Sequence, residues 1–231
     1  MVLHSRSVSA WALLVACVCV LLGAPAHAGD LQVLVSGSGG PAASAVVSLH
    51  SPQAKAALRP GSAVIDQRNT QFTPLVSVIP VGSLIAFPNS DNVRHQVYSF
   101  SPAKRFQLPL YSGKSAAPVR FDASGVVELG CNIHDWMVAY VVVTDTPYHA
   151  IADAQGRASV AAPPGRYVLR VWHPHLATGS TPWEGEVVIG ATPQSRRVQL
   201  ALATRLSPQA PADDKLRALQ DKFRKLKRGD R

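Results

Sequence analysis

The sequence predicts a mainly β protein: an antiparallel β-sandwich, a second small β-sandwich after it, and a basic helix at the C-terminus. Three observations predict it. Short runs rich in valine, leucine and aromatic residues recur along the chain. Glycine, proline, asparagine and aspartate separate them, as turns require. No helical period is legible until the C-terminal segment.

The first element in order is a leader. Arg6 supplies a positive start, an apolar run covers 8–22, and Ala26-His27-Ala28 places small residues at a cleavage point. This is the three-part pattern of a secretory signal peptide. The run is short for a bilayer span, which takes ~20 apolar residues. Leu14-Val15-Ala16-Cys17 is similar to a lipidation box, but the residues after Cys17 stay apolar where a tether would be polar. Residues 1–28 are therefore expected to be cleaved near Ala28 after export to the periplasm, leaving no integral membrane span.

Cleavage changes the cysteine arithmetic. Cys17 and Cys19 leave with the leader, and Cys131 remains alone in a compartment where cysteines normally pair. Such a thiol is either a buried inert side chain or a thiolate held by a metal. Apolar residues make up 47% and charged residues 16%, enough apolar material for a globular core. The formal charge of +9 loses only Arg6 with the leader. Its scatter over the body reads as solvated surface, and an exported protein is not expected to meet nucleic acid.

The runs 31–35, 45–49, 83–87, 95–100, 118–122, 126–129 and 138–143 read as strands of the first unit, assigned to 29–147. A second unit is assigned to 148–205. It holds the D-x-x-G turn Asp153-Ala154-Gln155-Gly156, a strand, the turn Pro163-Pro164-Gly165, and a strand whose Tyr167, Leu169 and Val171 share one face by the two-residue period. This stretch resembles the transthyretin-like or carboxypeptidase-regulatory-like modules, which are mostly non-catalytic. The linker and basic helix take 206–231. Pro208 and Pro211 mark the linker, and Leu216, Leu219, Phe223 and Leu226 recur at helical spacing. Lys222, Arg224, Lys225, Lys227 and Arg228 sit near the helix end, where they suit its dipole. This face is a candidate for peripheral or partner contact.

The chemistry concentrates in Gly130-Cys131-Asn132-Ile133-His134-Asp135-Trp136-Met137, a C-x-x-H-x-x-M array at a strand end. Upstream, Phe87-Pro88-Asn89-Ser90-Asp91-Asn92-Val93-Arg94-His95 ends another strand and loop with a histidine. After the leader and Met1, the chain has one cysteine and one methionine, both in the same short window with a histidine between them. A purely structural loop needs none of the three. Two imidazoles, one thiolate and a weak thioether suit copper, the sulfur ligands favouring Cu(I). Zinc is the competitor, but it rarely recruits methionine, and structural zinc sites use more cysteines. A redox dithiol or a binuclear copper pair needs a second cysteine.

The pattern F-x-N-x-D-x-x-x-H, then F-D-x-x-G-x-V-x-L-G-C-x-x-H-x-x-M, resembles the cupredoxins, amicyanin and plastocyanin above all. A longer run including Val97-Tyr98-Ser99-Phe100-Ser101 is similar to exported proteins called methylamine utilization proteins, over most of 31–176; no residue here bears on methylamine chemistry. The resemblance implies a cupredoxin-like Greek-key β-sandwich, one type-1 copper ion and electron transfer with a redox partner protein. By position it implies His95, Cys131 and His134 as equatorial ligands and Met137 as the axial one. Copper holding or sensing is the alternative. Arg94 and Gln96 depart from the proline and asparagine common beside the first histidine, so side-chain stitching of the two ligand loops is not expected from Gln96.

The remaining histidines divide. His173 and His175 alternate and are a conceivable second metal site, though no cysteine or acidic cluster completes it. His50 and His149 read as incidental. No Ser-His-Asp arrangement, phosphate loop or paired-carboxylate signature is legible, so the chain is expected not to be an enzyme.

Overall fold

The computed structural model describes residues 29–113, 117–176 and 180–203. The expected leader and C-terminal helix lie outside the described residues. The described residues begin with strands Gly29–Gly37 (β1), Gly40–Pro41 (β2) and Val46–His50 (β3), then a short helix, Pro52–Ala56 (α1). Next come Ser62–Val64 (β4), Asp66–Arg68 (β5), Gln71–Thr73 (β6), Val76–Pro80 (β7) and Ser83–Ala86 (β8). Tyr98–Ser99 (β9), Phe106–Gln107 (β10), Val119–Phe121 (β11), Gly125–Gly130 (β12) and Val138–Thr144 (β13) follow. The last group is His149–Ile151 (β14), Arg157–Ala162 (β15), Gly165–Trp172 (β16), Trp183–Ile189 (β17) and Gln194–Gln199 (β18). The fold is mainly β, as expected. Helix α1 was not legible as a period because it is so short. Ser51 caps it, its hydroxyl accepting from the Ala54 N–H at 3.0 Å, and Pro52 opens it.

The sheets divide the chain differently from the sequence boundaries. β1 pairs antiparallel with β15 and parallel with β18, while β3 pairs antiparallel with β14 and β16. Residues 29–50, assigned to the first unit, thus belong with the strands after 148. Leu31, Val33, Val35, Val47 and Leu49 share one core with Val160, Leu169, Val171, Ile189 and Val198. A two-residue period fixes which face of a strand is buried, but not the sheet it joins. The expected common face of Tyr167, Leu169 and Val171 is buried in this core. Gly156 closes the D-x-x-G turn at φ +73°, and a Cβ there would stand 2.2 Å from the Val35 carbonyl oxygen.

Between β3 and β14 the chain makes the inner unit. Its sheets are β10-β9-β12-β13-β7 and β11-β8-β4, with the hairpin β5-β6 beside them. Ile65, Phe72, Ile85, Phe87, Phe121, Val127, Leu129 and Val141 fill its core. Strands β4 to β7 were not read from the sequence, and the run 95–100 is regular only at β9. Where chain enters and leaves this unit it is stitched. The Leu49 N–H donates to the Tyr148 carbonyl at 2.9 Å, and the Thr146 hydroxyl donates to the Leu49 carbonyl at 2.6 Å. A third apolar cluster, Val46, Val76 and Tyr140 with Val138, Val142 and Trp172 against it, joins the two units.

Candidate metal centre

Two loops of the inner unit carry the site. Cys131 to Met137 is the connection between β12 and β13, whose register closes on Gly130 opposite Val138. The Met137 N–H donates to the His134 carbonyl at 2.8 Å, tightening this turn. Gly130 permits a close approach: a Cβ there would stand 2.7 Å from the Tyr98 ring, which packs beside the cysteine. His95 ends the other loop and exchanges backbone hydrogen bonds with Tyr111, both at 3.0 Å.

These loops bring His95, Cys131 and His134 together, one ligand atom from each lying within 4.8 Å of the others. His95 Nδ1 and His134 Nδ1 are 3.0 Å apart, and Cys131 Sγ is 3.9 Å from His134 Nδ1. His95, Cys131 and Met137 are buried, and His134 is half-buried. Met137 packs in the inner core with Cys131, and both line one cavity of about 370 Å³. Burial, then the neighbouring His95, holds the His134 imidazole below its ordinary pKa of 6.5, which leaves its nitrogen free to donate to a metal.

Sequence reasoning gave Asp91 no role. Its Oδ2 lies 2.8 Å from His95 Nε2, the ring nitrogen facing away from the cluster. A carboxylate can only accept, so Nε2 carries the proton and the Nδ1 lone pair turns toward Cys131 and His134. Asp91 also accepts from the N–H groups of Asn69 and Thr70 at 2.7 and 2.8 Å. Burial works to raise the Asp91 carboxyl, but the bonds from Thr70, His95 and Asn69 outweigh it and hold the group below its ordinary 3.8.

The same turn reaches the second loop, because the Trp136 indole N–H donates to the Thr70 carbonyl at 3.0 Å. Asp91, Thr70 and Trp136 therefore tie the two ligand loops together. Asn89 braces the His95 loop, its side-chain amide donating to the carbonyls of Val93 at 2.9 Å and Tyr111 at 2.8 Å. Beneath it the Tyr111 hydroxyl donates to the Phe87 carbonyl at 2.6 Å and accepts from Gln67 at 2.6 Å; burial pushes its pKa up to about 12. Gln96 takes no part in the stitching and its buried Oε1 has no partner.

The donor set fits copper. Two imidazole nitrogens and a thiol converge with a buried thioether close in sequence, and the Asp91 carboxylate is turned to the far side of a ligand ring. The His173–His175 pair does not make a second centre. His173 Nε2 donates to the Ala43 carbonyl at 2.9 Å and Nδ1 accepts from the His175 N–H at 3.0 Å, so neither nitrogen is left for a metal.

No family model matches the chain, and no curated protein matches it. Among solved structures it is similar to a novel purple cupredoxin from Nitrosopumilus maritimus, at 26% identity over 36% of this chain and 99% of that one, TM-score 0.32. It is similar to a reduced Cu(I) form of an amicyanin variant at 22% identity, over 42% of this chain and 98% of that one, TM-score 0.33. It is also similar to a Cu-containing nitrite reductase from Thermus scotoductus SA-01 at 23% identity, over 38% of this chain and 23% of that one, TM-score 0.35. At such TM-scores the reading of the site rests on its own residues. The expectation that the chain is not an enzyme is corrected here. It rested only on motifs the sequence lacks, which exclude no chemistry, and one chain named above is a Cu-containing nitrite reductase.

Proposed function

We propose that this chain is an exported type-1 copper protein that passes single electrons between periplasmic redox partner proteins. One observation carries the reading: a buried thiol and two histidine nitrogens converge within 4.8 Å on two loops that are each hydrogen-bonded to the turn at Asn69 and Thr70. His95, Cys131 and His134 would hold the ion, with Met137 the weak fourth donor. Bound copper supplies a one-electron couple between Cu(I) and Cu(II). The residues supply rigidity, since loops tied through Asp91, Thr70 and Trp136 resist rearrangement between the two states.

His134 is the half-buried member and the natural exit for an electron. Its neighbour Ile133 is 47% exposed and offers an apolar contact beside it. Trp136 and Val138, partly buried, pack against the inner core and the cluster joining the units. Among the described residues, no helix is long and apolar enough to cross a membrane. The basic segment after Ser207 is read as a peripheral or partner contact, and truncation there should spare the copper spectrum.

The test is the visible spectrum of the copper-loaded chain. An intense thiolate-to-copper band is expected, and Cys131→Ser should abolish it. Met137→Leu should keep copper bound and raise the reduction potential, because a donor to Cu(II) is removed. Persistence of the band in Cys131→Ser defeats the assignment. Tight copper binding with no electrode response would replace electron transfer by copper holding or sensing.

A further inference from the structure

A line of three polar side chains crosses the junction between the two units. On β3, Val46, Ser48 and His50 share the face turned away from the outer core, opposite Trp172, Arg170 and Val168 of β16. Ser48 Oγ lies 2.8 Å from His50 Nε2, and His50 Nδ1 lies 2.8 Å from Oδ1 of Asp145, just beyond β13. The Asp145 carboxylate can only accept, so the imidazole proton sits on Nδ1. Nε2 is then a lone pair, and the Ser48 hydroxyl must donate to it. A serine activated by an oriented base needs this polarity.

Two cavities meet at this line. The smaller, about 180 Å³, lies between the units and is lined by Ser48 with Val46, Val126, Val142 and Trp172. The larger, about 740 Å³, is lined by His50 and Asp145 with Lys55, Arg166 and Tyr167. Arg170 lines both and stands directly opposite Ser48 in the ladder.

We propose that Ser48, His50 and Asp145 form a hydrolytic triad acting on small esters whose short apolar acyl group fits the smaller cavity. Ser48 Oγ bonds to the ester carbonyl carbon as its proton passes to His50 Nε2. The bond from that carbon to the alcohol oxygen breaks, and His50 returns the proton to the departing alcohol. Water then repeats the sequence, releasing the acid and restoring Ser48, with no change of oxidation state. Asp145 steadies the imidazolium through Nδ1–H, and the Arg170 guanidinium supplies positive charge for the carbonyl oxygen. Burial, then Arg170, holds His50 below its ordinary 6.5 against the opposing pull of Asp145 and Glu184, so the base form is present at neutral pH. Arg170 keeps its place through a 2.6 Å bond to Glu184.

The experiment treats the full chain with a fluorophosphonate probe and maps the labelled peptide. Labelling at Ser48 is expected, with hydrolysis of p-nitrophenyl acetate and little of the decanoate. Ser48→Ala should abolish both, and His50→Gln should slow labelling by about 10²-fold. The labelling rate should already have reached its plateau by neutral pH. Heat-unfolded wild type should not be labelled, and this comparison decides the matter even if Ser48→Ala does not fold. The thiolate–copper band should survive in every variant, so this proposal and the copper reading fail separately. Equal labelling of native and heat-unfolded chain, or none in either, overturns the triad and leaves the line as a brace between the units.

Discussion

Asp91 and Asn89 are single residues whose importance comes from the atoms they hold. Asp91 fixes which nitrogen of His95 is free, and such a partner typically governs 10–100-fold in metal affinity. Asp91→Asn should therefore weaken copper binding by about 10-fold, and Asp91→Ala by up to about 100-fold. Competition with a chelator of known affinity measures this; unchanged affinity would remove Asp91 from the site. Asn89→Ala strips hydrogen bonds from the Val93 and Tyr111 carbonyls. The Tyr111 carbonyl keeps its bond from the His95 N–H, so a loss of about 1 kcal/mol is expected, to be read in urea unfolding. The ligand types were legible because cysteine, histidine and methionine are scarce and cluster. The supports were not, because a carboxylate four residues before a histidine has no meaning until the loop between them curls. Ser48, His50 and Asp145 were illegible for a like reason: 95 residues separate His50 from Asp145.

Among the elements, the turn at Asn69 and Thr70 links the ligand loops through Asp91 on one side and Trp136 on the other. Trp136→Phe keeps an aromatic ring but removes the donor to Thr70. A loss of ~1 kcal/mol in stability is expected, with a broadened visible band from a looser loop; an unaltered band would show that the tie does not set the geometry. Gly156 is the comparable point of the outer sandwich. Gly156→Ala meets both a positive φ and the Val35 carbonyl, and should cost well above ~1 kcal/mol in thermal unfolding. The glycine was visible in the sequence as a turn. Its packing on β1 was not, since the pairing of β1 with β15 spans the whole inner unit.

For the molecule as a whole, half-buried His50 and His149 and buried His173 join His134 in setting the response to acid. Burial is the largest cause holding each of His50, His149 and His173 below 6.5. As pH falls through 6.5 the unfolded chain takes up protons that the folded chain resists. Stability is therefore full above 6.5 and declines below it, toward the lower folded values. Calorimetry should show the melting temperature falling between about pH 7 and about pH 5, and His149→Gln with His173→Gln should flatten the decline. A melting temperature constant over that range would contradict the assignment. Period-two patterns foretold the buried face of one strand, that of Tyr167, Leu169 and Val171. They left open that the outer sandwich is built from both ends of the described chain. A fragment ending at Pro147 would strand Leu31, Val33, Val35, Val47 and Leu49 without their core, and should aggregate or expose 29–50 to protease.

That nesting also has a kinetic reading. β3 and β14 lie side by side, yet the Leu49 and Thr146 groups bonded across this seam are 97 residues apart in the chain. Closing so long a loop as free coil is entropically slow. Collapse of the inner unit first would bring the two ends together and reduce the search to a short one. Refolding should then be ordered: Trp136, in the inner unit, should regain its native fluorescence before Trp172, on the outer sheet. Single-tryptophan variants followed by stopped flow would report the two phases. A destabilising change in the inner core, such as Val127→Ala, should slow both phases, while Leu169→Ala in the outer core should slow only the second.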